Sequence, residues 1–267
     1  MISIEKIINK AKKKIPSLNE QRVLDAYNFA NLCHSGQKRA SGEDYIYHPL
    51  AIADIILDFL PDEDALLATL LHDVTEDCGI KVEEIKKRYG PVVAELVSGM
   101  EKLSHVKAYG QERQIGSLRK MFLAMAKDIR VVIIKLADRL HNMQSLHFLR
   151  PDKQKRIAEE TLTIYAPIAA RLGIYDLKSP LEDLSFFYLQ QDKYTLVAEQ
   201  MKKHEPYRTR ILKNAKKYLS STLHQDGIKG EITGRIKHYY SINKKMERKS
   251  MESIDDLGYI CTSYYCA

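Results

Sequence analysis

The chain has 267 residues, of which 45% are hydrophobic and 29% charged. That is enough apolar side chain to offset chain entropy, which excludes a disordered or low-complexity polypeptide. The net charge is +7, and no run of about 18 uncharged apolar residues occurs, which excludes a membrane-spanning helix.

Met1 to Lys14 mixes Ile with Lys at helical spacing and does not read as a secretory signal. The pattern stays helical to about residue 200, with no alternating strand before residue 227. Leu66, Leu67, Leu70, Leu71 and Val74 predict one helix that starts after Pro61-Asp62 and ends at Gly79. Val132, Ile133, Leu136, Leu140 and Met143 form a second stripe, with Asp128 as its cap. A third stretch runs from Lys153 to Leu172 and is bent or interrupted by Pro167. These elements predict an all-α domain over residues 1–200. A polar helix over 191–225 leads into the second unit, 201–267. There a strand is expected between Ile228 and Ile236 and a helix over Ser241 to Arg248, giving a small incomplete α+β segment. Tyr259 to Ala267 fit no complete element. The four cysteines (Cys33, Cys78, Cys261, Cys266) contain no CxxC pair, so free thiols in a cytoplasmic protein are expected.

Charge is concentrated in one place. Residues 201–250 hold 14 Lys and Arg against 4 acids, whereas residues 1–200 balance at 28 of each sign. A solvated basic face and a phosphate-binding surface both fit this excess. Nucleic-acid binding is not expected, because no aromatic interleaving or reading motif accompanies the charge.

The residues that suggest chemistry are His72-Asp73, followed four positions on by Glu76 and Asp77. In one continuous helix His72 lies under Glu76 and Asp73 under Asp77, so a single face carries three carboxylates that need a cation nearby. Standing alone, such a pair is more often surface decoration than a site. Two further segments add to it. His48 precedes Pro49 at a helix start. Asp138, Asn142 and Ser145 share one helix face, four and then three residues apart. Each also has a plain structural reading: His48 as a satisfied core histidine, Asp138 as the ion-pair partner of Lys135 or Arg139. Together His48, His72, Asp73 and Asp138 offer two imidazoles and two carboxylates. That mixed set suits a divalent first-row cation held between helices.

The order of these residues resembles that of HD-type metal-dependent phosphohydrolases. The flanking words are narrower: His34-Ser-Gly-Gln-Lys-Arg39-Ala-Ser41-Gly-Glu, Tyr45-Ile-Tyr-His48-Pro, Leu71-His-Asp-Val-Thr-Glu76-Asp77 and Lys135-Leu-Ala-Asp138-Arg-Leu-His-Asn142-Met. They resemble the hydrolase domain of the RelA/SpoT homologues, enzymes of the alarmone (p)ppGpp, over nearly the whole chain. The resemblance implies an all-α HD-domain helical bundle that hydrolyses the 3′-pyrophosphate of (p)ppGpp to GDP or GTP. It implies Mn²⁺ on His48, His72, Asp73 and Asp138, and Glu76 and Asp77 as the catalytic pair acting on water. It further implies a nucleotide pocket lined by Arg39, Ser41, Asn142 and Ser145. Ala40 and Ser145 depart from the Lys and Thr usual in the family.

Glu231 to Met246 resembles the opening of the family's synthetase domain, with Arg235, Lys237 and Ser241 at positions facing ATP phosphates and Asp256 near an acidic metal ligand. Only the start of that domain is represented, so synthesis is not expected, and a homo-oligomer is conceivable through its incomplete edge. Two other readings stay open: an HD phosphohydrolase for another nucleotide, and a catalytically silent nucleotide-binding regulatory module.

Overall fold

A computed structural model describes residues 2–104, 110–225, 228, 230–251, 253 and 260–266. Asp256 and Tyr259, singled out above, lie outside the described residues. The fold divides into two compact units, Met1–Leu181 and Glu182–Ala267, about twenty residues earlier than the expected 200/201 boundary.

The first unit is a helical bundle. Its helices are α1 (Ile4–Lys14), α2 (Glu20–Cys33), α3 (Tyr47–Ile56), α4 (Glu63–Leu70), α5 (Val74–Asp77), α6 (Val82–Tyr89), α7 (Pro91–Ser104), α8 (Gly110–Lys127) and α9 (Ile129–Gln144). After these come α10 (Pro151–Glu160), α11 (Ala166–Arg171) and α12 (Tyr175–Leu189), within which the two units divide. Helix α9 packs against α3, α7 and α8, and α4 against α2, α3 and α7. Their apolar stripes supply Leu50, Ile52, Ile56, Leu66, Leu67, Leu70, Leu96, Val97, Val132 and Leu136 to one buried core. Where α7 crosses α9, Gly99 leaves no room for a methyl group: a Cβ there would lie 2.8 Å from Val131 Cγ2.

Side chains fix where α4 and α9 begin. Asp62 Oδ1 accepts the Ala65 N–H at 2.7 Å, and Asp128 Oδ1 accepts the Arg130 N–H at 2.9 Å. The Arg130 guanidinium then donates to both caps, to Asp128 Oδ2 at 2.7 Å and to Asp62 Oδ1 at 3.0 Å. The starts of the two helices are thereby tied together.

The helix expected from Pro61 to Gly79 is broken. Helix α4 stops at Leu70, residues 71–73 form a turn, and α5 begins at Val74. His72 Nδ1 lies 2.8 Å from the Thr69 carbonyl oxygen. That oxygen would accept the Asp73 N–H in a continuing helix, so the ring competes with the backbone for it. The expected stacking of His72 under Glu76 is lost with the break. Only Asp73 and Asp77 keep a helical link, the Asp77 N–H donating to the Asp73 carbonyl at 2.8 Å.

The interruption expected at Pro167 is a π turn over Thr161–Tyr165, in which the Ala166 N–H bonds the Thr161 carbonyl five residues back. It falls immediately before the proline, whose ring cannot supply an N–H to a regular ladder.

In the second unit, the single polar helix expected over 191–225 is two helices, α13 (Gln191–Lys203) and α14 (Glu205–Gln225), separated at His204. Pro206 occupies the first turn of α14, where a missing N–H costs least. Strand β1 (Gly230–Ile236) and helix α15 (Tyr239–Lys249) lie close to their expected spans. The final residues do form an element: β2 (Ile260–Cys266) pairs antiparallel with β1, Gly230 opposite Cys266 and Ile236 opposite Ile260. The sequence pattern of Ile260–Cys266 was insufficient to show this, because pairing with a distant strand defines it. Asp183 Oδ1 accepts the Tyr240 N–H at 2.8 Å at the start of α15, and Val197, Met201, Ile242 and Met246 form the core of this unit.

Candidate metal centre and nucleotide pocket

Three elements bring the candidate ligands together. His48 is on the first turn of α3, His72 and Asp73 are in the turn between α4 and α5, and Asp138 is in the middle of α9. One donor atom each from His48, His72 and Asp138 lies within 4.8 Å of the others, and all three residues are buried. His48 Nε2 is 3.3 Å from Asp138 Oδ1 and 3.7 Å from Asp73 Oδ2, and His72 Nε2 is 2.9 Å from the same Asp73 oxygen. The break between α4 and α5 matters here, because consecutive residues of a regular helix point about 100° apart. In the turn, His72 and Asp73 face one point.

The ring nitrogens are set from behind. A carbonyl only accepts, so His72 Nδ1 donates to Thr69 and Nε2 is left to face the centre. His72 Nε2 is buried and, although close to Asp73, makes no directed hydrogen bond among the described residues. A buried nitrogen without a hydrogen-bond partner, beside two carboxylates, fits a cation ligand. Both Asp138 oxygens are engaged by helix neighbours: Oδ2 pairs with Lys135 Nζ at 2.9 Å. Its Oδ1 accepts from Asn142 Nδ2 at 2.6 Å and faces His48. The ion-pair reading of Asp138 and its place in the cluster therefore hold together. Arg139 pairs instead with Glu160, at 3.4 Å.

Electrostatics follow from this crowding. Burial opposes charge on His72, but the Asp73 carboxylate, then Asp138, outweigh it and raise its pKa to about 9. Burial likewise works against the Asp138 anion, yet Lys135 and then His48 hold it well below the usual carboxylate range. His48 is shifted down, chiefly by burial. Two imidazoles and two carboxylates in a buried cluster fit a divalent cation.

The second group also assembles. Arg39, Ser41, Asn142 and Ser145 line one cavity of about 230 Å³ together with Lys135 and Asp138. Arg39 Nη2 donates to Asn142 Oδ1 at 2.6 Å, and through Asn142 the cavity reaches Asp138. Ser41 Oγ is 3.1 Å from Glu43 Oε2. Ser145 Oγ donates to the Asn142 carbonyl at 3.3 Å. A larger cavity of about 1020 Å³ lies between α6, α7, α8 and α9. Its walls, among them Leu96, Leu123 and Val131, are mainly apolar and gather no ligand set, so chemistry rather than size selects the smaller one. Glu76 and Asp77 are exposed on α5, one turn beyond His72 and Asp73.

Sequence reasoning missed His141. Its Nδ1 lies 2.8 Å from His48 Nδ1 and 3.3 Å from Arg39 Nη1, so it joins the ligand cluster to the cavity. Burial, then His48 and Arg39, lower its pKa to about 4. A signal was available: His141 is three residues after Asp138 on the face already singled out. Tyr45 was missed too, and its hydroxyl donates to Asp73 Oδ2 at 2.6 Å.

Comparisons with known proteins bear on the family of the chain. The HD domain family matches residues 26–175. A guanosine-3′,5′-bis(diphosphate) 3′-pyrophosphohydrolase of Haemophilus influenzae is 46% identical over 220 residues, covering 82% of this chain and 32% of that protein. The bifunctional (p)ppGpp synthase/hydrolase SpoT of Escherichia coli K12 is 43% identical over 236 residues, covering 88% of this chain and 34% of that protein. The chain thus spans about a third of the length of these curated relatives. A solved structure, described as a metazoan ortholog of SpoT that hydrolyzes ppGpp and plays a role in starvation responses, has the same fold. Its TM-score is 0.52 at 24% identity, covering 63% of this chain and 96% of that one. With the family matched over more than half its length and RelA/SpoT homologues similar over most of it, the chain belongs to the HD domain family.

Proposed function

We propose that this protein is a Mn²⁺-dependent hydrolase of the 3′-pyrophosphate of (p)ppGpp, acting in the cytoplasm. The observation that carries the reading is the convergence of His48, His72 and Asp138, with Asp73 beside both histidines, next to a cavity lined by Arg39, Ser41, Asn142 and Ser145. The names of the relatives supply the substrate class.

When bound, Mn²⁺ supplies Lewis acidity towards the phosphoryl group and the attacking water. The protein's own groups do the rest. The four ligands hold the cation, and the cavity residues hold the nucleotide with its 3′-phosphates towards it. Arg39 is steadied by Asn142 and His141, so its guanidinium meets the nucleotide in a fixed orientation. Glu76 or Asp77 accepts a proton from water as its oxygen bonds to the phosphorus next to the 3′ oxygen. The bond from that phosphorus to the 3′ oxygen breaks, pyrophosphate leaves, and the 3′ oxygen takes up a proton to give GDP or GTP.

The test is incubation of purified protein with ppGpp and Mn²⁺ while GDP and pyrophosphate are followed. Both products should appear in equal amounts, and chelation should stop them. Turnover of a different nucleotide in a substrate panel, with none of ppGpp, would overturn the substrate assignment.

A further inference from the structure

His34, Gln37 and Tyr45 belong to the motifs singled out in the sequence, yet the function above gives them no task. They lie directly behind Asp73. The Tyr45 hydroxyl donates at 2.6 Å to Asp73 Oδ2, the oxygen that lies 2.9 Å from His72 Nε2 and 3.7 Å from His48 Nε2. The Asp77 carboxylate also faces this phenol. A carboxylate oxygen has two lone-pair directions, so a donor on one leaves the other for the centre.

The phenol is itself held on several sides. Its ring stacks on His34 with centroids 4.4 Å apart and planes inclined by 17°, and it meets His48 edge-on at 5.8 Å. His34 Nδ1 lies 2.8 Å from Gln37 Oε1, and the Tyr45 N–H donates to the Gln37 carbonyl at 3.1 Å. The backbone near Asp73 needs such help. Residues 71–73 form a turn rather than regular helix, so a helix ladder does not set the direction of the Asp73 side chain from both sides.

We propose that Tyr45, backed by His34 and Gln37, is a positioning residue of the metal centre. It holds the Asp73 carboxylate in its cation-facing orientation and sets its spacing from Asp77. The proposal rests on the reading of Asp73 as a ligand. Groups that orient ligands in this way typically contribute about 10- to 100-fold to metal affinity or activity.

Tyr45→Phe tests it, since the substitution keeps the ring and its stack on His34 and removes only the donor. Mn²⁺ affinity, measured by calorimetric titration without nucleotide, should fall about tenfold or more. The melting temperature of the metal-free protein should stay close to wild type, and kcat should fall while KM for ppGpp holds. An affinity within twofold of wild type would overturn the proposal, as would a wild-type protein that binds no divalent cation. If wild type binds Mn²⁺ and the variant binds it more weakly, but neither turns over ppGpp, the positioning role stands and only the substrate reading fails.

Discussion

Two regions of the first unit present their candidate site residues in opposite ways. Helix α9 is continuous and offers Asp138, His141, Asn142 and Ser145 along one face, three or four residues apart. The segment from α4 to α5 offers two adjacent candidate ligands, His72 and Asp73, and does so by interrupting the helix. A regular helix can aim about one side chain per turn at a given point. A pair of neighbours aimed at one cation requires a turn, and a turn needs outside support. Asp138 draws its support from its own helix, through Lys135 and Asn142. Asp73 draws it from another segment, through Tyr45.

The contrast predicts different costs for losing each ligand. Asp138→Ala should lower turnover by about 10³-fold. It should also destabilise the metal-free protein by about 3 kcal/mol, because it removes the carboxylate that pairs with the buried Lys135. Asp73→Ala should lower turnover as far with a smaller loss of stability, since its side chain is 18% exposed and the His72 ring that it leaves behind can become neutral by losing a proton. Calorimetric melting beside a ppGpp assay checks both, and equal stability losses would break the contrast. Glu76→Gln, on the exposed side of the break, should lower kcat about 10²-fold while Mn²⁺ affinity is retained, as titration of the variant would establish. The smallest effect is expected where α9 is merely supported. Gly99→Ala pushes a methyl against Val131 and should cost about 1–3 kcal/mol, read as a melting temperature a few degrees lower, with kcat preserved in the folded protein.

The two regions also differ in how far the sequence revealed them. The α9 stripe and its Asp128 cap were legible because helical period and cap chemistry are local. The types and order of the candidate ligands were legible through the family words around them, while each residue alone also had a plain structural reading. The break after Leu70 was not, because it depends on His72 competing for the Thr69 carbonyl, a side-chain contact with no periodic signature. His141 was hidden by the apolar words around it, although its spacing from Asp138 placed it on the right face. Strand β2 escaped because its partner, β1, lies some 25 residues or more away and pairing is not written in either segment alone.

The Arg130 clamp sets the mechanics of the centre. It ties the starts of α4 and α9 at Asp62 and Asp128, whereas Asp138 lies about 15 Å further along α9 at helical rise and α4 runs about 12 Å to its end at Leu70, just before His72. Any breathing of either helix about that fastening is amplified at the far end: a tilt of about 5° displaces a donor atom by about 1 Å over such a lever. Coordination distances tolerate only about 0.2 Å, so cation retention should be a sensitive gauge of how stiffly the bundle is pinned at its distant end.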